Sequence, residues 1–240
     1  MPQALVTGAT SGIGRAIALA LRDAGHEVVA FGRDPAALEA LAAEPGLRPV
    51  RVEMTDRDAL RRAVAGLAPD VLVNNAGLVP PLAHFCDTDE DEIDRAVALN
   101  LSSVLALTRM LAPGMRDRGR GHIFFTGSVA GHAPFVNMAL YCATKAAIGG
   151  FAQALRLELA TRGVRVTEIV AGRVETPLYK DLLSPEARAA MYAGNTAVQP
   201  PDVAAMVLAV LALPPNVDVA RFDILPLTPA SVSGATMQQR

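Results

Sequence analysis

Tyr141 and Lys145 stand four residues apart in Tyr141-Cys142-Ala143-Thr144-Lys145, where a long stretch with helical spacing begins. That interval puts the phenol and the ammonium on one helix face. An ammonium beside a phenol stabilises the phenolate and is expected to draw its pKa down from about 10 toward the operating pH. A phenol tuned in this way can exchange a proton with an alcohol or carbonyl oxygen. Ser128 follows the apolar run His122–Phe125, and a hydroxyl at the carboxyl end of such a strand can hold the reacting oxygen. Taken alone, Tyr-x3-Lys also arises from chance surface pairs, so its meaning depends on what the chain places nearby.

A second group of residues suits a phosphate. Thr7-Gly8-Ala9-Thr10-Ser11-Gly12-Ile13-Gly14 lies between a short apolar run and a helical stretch. A pyrophosphate needs backbone N–H groups at close range and the positive end of a helix dipole. Glycines permit both the tight turn and the approach. Three of them at this place in an alternating chain point to dinucleotide binding; an ordinary Gly-rich strand–helix turn is the plainer use. The next apolar run ends Phe31-Gly32-Arg33-Asp34. An acid at the Gly32 position would bind ribose hydroxyls and repel a 2′-phosphate. Arg33 can instead clamp that phosphate with paired hydrogen bonds, or simply open a solvated loop. NADP(H) is therefore expected over NAD(H), with Asp34 the residue that argues for NAD(H).

Alternating elements must position these groups. Short apolar runs occupy Ala4–Val6, Val28–Phe31, Pro49–Val52, Val71–Val73, His122–Phe125, Val164–Val170 and Phe222–Leu225. Helical spacing marks Ile13–Ala24, Ala36–Ala43, Asp58–Leu67, Ile93–Met115, Tyr141–Thr161 and Asp202–Leu211. Runs that are apolar throughout imply strands buried on both faces. The expected architecture is α/β, a single-domain Rossmann fold over residues 1–240, with a doubly wound parallel sheet of about seven strands flanked by helices. No internal repeat or linker divides it. The irregular stretch 177–201, broken by Pro185 and Pro200-Pro201, is expected to be a substrate lid within that domain.

Composition narrows the function class. With 51% hydrophobic and 19% charged residues among 240, a packed core rather than disorder is expected. A net charge of −2 offers no basic excess for nucleic-acid backbones. Cys86 and Cys142 are too few for a disulfide framework, and the four histidines form no metal-ligand cluster. Met1–Thr7 carries no basic, apolar leader, and no uninterrupted apolar run reaches about 18 residues. A cytoplasmic protein without a membrane span is expected.

Together, Thr7-Gly8-x3-Gly12-Ile13-Gly14, Asn74-Asn75-Ala76-Gly77, Asn100, Ser128 and Tyr141-x3-Lys145 resemble the ordered motif set of short-chain dehydrogenases/reductases, over nearly the whole chain. Around Ser128 and Tyr141 the sequence is similar to NADP-dependent 3-hydroxy acid (serine-type) dehydrogenases. The resemblance implies hydride transfer between a nicotinamide and a small alcohol or carbonyl substrate, such as a 3-hydroxy acid or a related aldehyde or ketone. It makes Tyr141 the general acid/base, has Ser128 position the reacting oxygen, and has Lys145 bind the nicotinamide ribose while tuning Tyr141. Asn100 would hold a water linking Lys145 to solvent. Gly8, Thr10, Ser11, Gly12, Ile13 and Gly14 would form the phosphate loop. Asn74, Ala76 and Gly77 would close the fourth strand beside the cofactor, and Val174 and Thr176 would contact the nicotinamide.

Two departures stand out against that family. Glu53-Met54 occupies the adenine-contacting place usually held by Asp, and Ala171 replaces the usual proline before Gly172. His132, Asn137, Arg173 and Tyr179 fall near the expected substrate pocket. Arg173 can bind a carboxylate or sulfonate, or pair with Glu175, and His132 can be an ordinary loop residue. The resemblance also implies a homo-oligomer, tetramer or dimer, built through flanking helices. The alternatives are an NAD-dependent sugar or polyol dehydrogenase of the same family, a non-catalytic NADP-binding sensor, a dehalogenase-like enzyme and a structural scaffold.

Overall fold

The structure is a computed structural model and describes residues 1–228. Seven strands form one sheet in the order β3-β2-β1-β4-β5-β6-β7. They are β1 Gln3–Thr7, β2 Glu27–Gly32, β3 Leu47–Arg51, β4 Val71–Asn74, β5 Gly121–Thr126, β6 Val164–Ala171 and β7 Arg221–Ile224. Each neighbouring pair is parallel. Parallel pairs need crossovers rather than hairpins. Helices supply them: α1 Gly12–Asp23, α2 Pro35–Ala42, α3 Arg57–Val64, α4 Glu90–Val97, α5 Ser103–Arg118, α6 Ala139–Ala160, α7 Pro185–Tyr192 and α8 Pro200–Leu211.

Successive strand residues point to opposite faces. Ala4, Val6, Val28, Ala30 and Val73 pack with Ile17 and Leu21 of α1 and Val203 and Val207 of α8. Leu5, Val29, Leu72, Ile123 and Phe125 point the other way, onto Leu60 of α3, Leu107 and Met115 of α5 and Ile148 of α6. Burial from both sides is why the strand sequences are apolar without alternation. Local signals set the helix starts. The Asp34 carboxylate accepts from the N–H groups of Ala36 and Ala37 at 3.0 and 3.3 Å, and Pro35 pre-sets the first helical residue of α2. Asp56 caps α3 in the same way, at 2.9 Å from two amides.

Two elements depart from the sequence pattern. β3 covers Leu47–Arg51 rather than Pro49–Val52. Among the described residues it is an edge strand paired only with β2, so half of it faces solvent and its Arg48 and Arg51 obscured the pattern; an edge also tolerates Pro49, which lacks an N–H. The helical stretch expected at Ile93–Met115 runs from Glu90 to Arg118, with a π-helical segment at Ala98–Ser102 joining α4 to α5. By length and mean hydropathy (1.4 over 18 residues) this stretch could cross a bilayer, but half of that window is buried against the protein. Leu107, Leu111 and Met115 pack on the sheet, so it serves as a core helix.

The strand order makes β1 the turning point: the chain moves outward to β2 and β3, then returns to β4 on the other side. A crevice opens where strand order reverses, at the carboxyl ends of β1 and β4.

Candidate active site

A cleft of about 540 Å³ occupies that crevice, within the size range of small-molecule sites. Its floor is the turn between β1 and α1. Gly8 and Gly12 have φ of +64° and +52°, a region that other residues enter at a cost. A Cβ on Gly8 would stand 3.0 Å from the Ala76 backbone, and one on Gly12 would stand 3.0 Å from Thr176 Cγ2. Gly14 lies beneath the turn rather than on the cleft wall, and a Cβ there would collide with the Gly8 carbonyl and the Asn75 amide. The turn is thus bare backbone at the head of α1, a cradle that fits a pyrophosphate. Thr7 ties it to β4: its hydroxyl oxygen accepts from the N–H groups of Asn75 and Ala76, both at 2.9 Å.

At the end of β2 the wall is Phe31, Gly32 and Arg33. A Cβ on Gly32 would strike the Thr10 methyl, so a larger residue there would require Thr10 to turn. Arg33 reaches Glu53 at 3.5 Å, both side chains being largely exposed. Glu53 also accepts from Thr55 and does not face the cleft; Val52 and Met54 do. Glu53, expected to meet the adenine, is held at the rim by Arg33 and Thr55, next to Met54 on the cleft wall. Asp34 is spent on capping α2.

The opposite wall carries Ser128, Tyr141 and Lys145. Tyr141 and Lys145 are each 7% exposed on α6, with the Lys145 ammonium 5.7 Å from the centre of the phenol ring. The ammonium donates to the Thr126 carbonyl at 2.8 Å, fixing it at the end of β5. Ser128 Oγ accepts from the Ala130 N–H at 3.1 Å, which leaves its own hydrogen free to donate. Among protein groups alone, burial pushes the Tyr141 phenol well above its ordinary value, with the Ser128 hydroxyl opposing. Burial brings Lys145 down to about 8. The lowered phenol expected from the Tyr-x3-Lys spacing is therefore corrected: desolvation raises it, and the group acting in the other direction is the Ser128 hydroxyl rather than the Lys145 ammonium.

The sequence model of the short chain dehydrogenase family matches residues 2–187. This chain belongs to the short-chain dehydrogenases/reductases. As such it is an oxidoreductase acting on CH–OH groups with NAD(P). The dehydrogenase is 47% identical over 237 residues to an uncharacterized short-chain type dehydrogenase/reductase, y4eK, of Sinorhizobium fredii, covering 98% of this chain and 95% of that one. NADP-dependent 3-hydroxy acid dehydrogenase YdfG of Salmonella typhi is 34% identical over 234 residues, 93% of this chain and 94% of that one. Among solved structures, the closed form of a serine dehydrogenase complexed with NADP+ superposes with a TM-score of 0.92 at 31% identity, covering 99% of this chain and 100% of that one.

Within this dehydrogenase, Gly8, Thr10, Ser11, Gly12, Ile13, Ala76, Gly77, Val174 and Thr176 all line the cleft. Asn74 does not; it is buried and donates to Thr108 at 3.2 Å. Its neighbour Asn75 faces the cleft instead, bonded to the Thr7 carbonyl at 3.1 Å. The Asn100 side chain is also off the wall. It accepts from the Leu78 N–H at 2.8 Å and donates to the Leu78 carbonyl at 2.9 Å, so it shapes the strand end. The π-helical segment turns it there.

Of the four substrate candidates, Arg173 and Tyr179 line the cleft and two do not. His132 turns away to Glu168 at 3.0 Å. Asn137, with φ +61°, borders a small pocket beside Val79 and Pro80 that adjoins the cleft and shares Leu82, Met138 and Tyr141 with it. Arg173 donates to the Met191 carbonyl at 3.0 Å rather than pairing with Glu175, which Gln199 holds at 2.9 Å. Asn75 and Glu168 were missed. Asn75 hides in a turn signal, whereas Glu168 left a trace as the single acid in an apolar strand.

Proposed function

We propose that this dehydrogenase interconverts a small alcohol and its carbonyl, using NADP(H), on a substrate that carries a carboxylate or sulfonate. One observation carries the reading. Among the described residues, the charged side chains on the cleft wall are Arg33, Lys145 and Arg173, all basic, and they are spread from the end of β2 to the start of the segment after β6. Arg33 suits a 2′-phosphate. Gly32 bears no acid, with the Thr10 methyl crowding that position, and Asp34 is engaged through Oδ1 in capping α2; both support NADP(H) over NAD(H). Arg173 suits a substrate anion. The relative named a 3-hydroxy acid dehydrogenase agrees with that class.

The glycine turn would hold the pyrophosphate, and Val174, Thr176 and Lys145 the nicotinamide half. When bound, the dinucleotide supplies or accepts the hydride. The protein's part is the proton. Ser128 Oγ–H donates to the substrate oxygen, and Tyr141 Oη–H gives that oxygen its proton in reduction or receives one in oxidation. Burial keeps the phenol protonated near neutral pH, the form that donates, and the Lys145 ammonium stabilises the phenolate left behind. Asn100 holds the backbone beside this wall. The segment 177–201, tied down by Tyr192 Oη donating to the Thr176 carbonyl at 3.2 Å, acts as a lid. Two thiols without a disulfide fit a cytoplasmic enzyme. Leu157, 67% exposed on α6, fits a homo-oligomer, a tetramer or dimer.

The test is a panel of hydroxy acids, sulfonated and uncharged carbonyls, each with NADPH and NADH. Turnover is expected with NADPH and an anionic substrate. Tyr141→Phe should lower kcat by about 10²–10⁴-fold while leaving NADPH affinity, measured by nucleotide fluorescence, nearly unchanged. Parental turnover in that variant would remove Tyr141 from the mechanism.

A further inference from the structure

β6 carries one acid in an otherwise apolar interior. Glu168 is 1% exposed, and the proton transfer described above makes no use of it. Carboxylates are rarely buried unless paired. Here Oε1 meets His132 Nε2 at 3.0 Å, while Oε2 has no hydrogen-bond partner among the described residues. On the outer side, a guanidinium nitrogen of Arg221 lies 3.4 Å from His132 Nδ1. A guanidinium only donates, so Nδ1 accepts and Nε2 carries the hydrogen that goes to Glu168. The three groups run from an exposed arginine inward to a buried carboxylate.

The inner end of this line lies behind the proton-transfer groups. A Cβ on Gly127 would overlap Glu168 Oε1, and one on Gly149 would stand 3.1 Å from the same oxygen. Gly127 sits between Thr126, whose carbonyl holds the Lys145 ammonium, and Ser128. Gly149 follows Lys145 by one turn of α6. The carboxylate therefore backs the peptide segment that Lys145 and Ser128 both depend on, without lining the cleft.

We propose that Glu168 is a positioning residue: held by His132, its carboxylate is the counter-charge that keeps Lys145 an ammonium and props the turn carrying Ser128. This rests on reading Tyr141 and Lys145 as the proton-transfer pair. Burial disfavours the charged form of Lys145, and Glu168 is the acid that acts in the other direction. From β5 and from its own helix Lys145 meets neutral groups, the Thr126 carbonyl and the Tyr141 phenol. His132 and Arg221 face the carboxylate from the Ser128 loop and β7.

Glu168→Gln keeps the shape and can still accept from His132, but it removes the charge. Lys145 and Lys180 are the only lysines in the chain, so lysine-selective 13C labelling gives two signals, with Lys180 as the internal reference. In protein without added nucleotide, Lys145 is expected to titrate about one pH unit lower in Glu168→Gln than in the parent. The alkaline limb of kcat should move with it. If Glu168→Gln does not fold, His132→Ala, which unlatches the carboxylate, is expected to move Lys145 in the same direction. An unmoved Lys145 titration in the folded variant overturns the proposal even if kcat falls, since a structural defect lowers turnover at every pH alike. Tyr141→Phe, assayed alongside, separates the two claims. Parental turnover there sinks the reading of the site, whereas an inactive Tyr141→Phe with an unmoved Lys145 in Glu168→Gln sinks only the role of Glu168.

Discussion

Lys145 occupies a place that opposes its own charge, and the opposition can be read as stability. Burial brings it down to about 8, against about 10.4 in an unfolded chain. Between those values the unfolded state holds more protons than the native one, so native stability rises as pH increases from about 8. The buried Tyr141 reverses this only above about 10, where the unfolded phenol ionises and the native one does not. Urea melts of the parent and Lys145→Met should therefore diverge, the parent gaining about 2 kcal/mol relative to the variant between pH 8 and pH 10. Parallel curves would show that the lysine is not held against its solvation. Arg33 stands at the other extreme: its exposed contact with Glu53 is worth at most about 1 kcal/mol, so the guanidinium is free to be recruited. Arg33→Asp should cut kcat/KM for NADPH by about 10- to 100-fold and affect NADH far less; an unaltered NADPH/NADH ratio would refute the clamp. Tyr141, Ser128 and Lys145 were legible because their spacing is local. The partners of His132, Asn100 and Glu168 were not, because each is chosen by a tertiary approach between segments 22 to 36 residues apart.

Elements do the positioning that single residues cannot. Gly14 does not itself line the cleft, yet it sets how closely the β1–α1 turn can pack under Asn75. Gly14→Ala should therefore cost about 1–3 kcal/mol of stability through overpacking and weaken NADPH binding without altering a contact group. A thermal melt and a nucleotide titration check the two effects; unchanged affinity in a folded variant would separate the turn from the ligand. The same logic explains what the pattern of apolar runs revealed. Strands packed from both faces, such as β1 and β5, announce themselves by continuous hydrophobicity. β3 lies at the edge with Arg48 and Arg51 turned outward, so its limits shifted by two residues at its start. The π-helical segment at Ala98–Ser102 has no periodic signature of its own, and with it went the true orientation of Asn100.

At the scale of the molecule, charge and mobility are distributed unevenly. The chain as a whole carries −2, while the charged groups of the cleft wall are cationic, so anionic ligands are drawn against the sign of the surrounding protein. The segment 177–201, proposed above as a lid, is pinned at a few points, among them the Arg173–Met191 bond and the isolated bridge between Val174 and Val198. Amide exchange followed by mass spectrometry should show residues 180–195 gaining protection when NADPH and an anionic product analogue are added together, with the sheet unaffected. Equal exchange with and without ligand would remove the lid role. Gly32, finally, links the proposed choice of nucleotide to the phosphate turn. A side chain at that position would meet the methyl group of Thr10. In a lineage drifting toward an acid at position 32, residue 10 would have to turn or be trimmed as well, so the two positions are expected to change together.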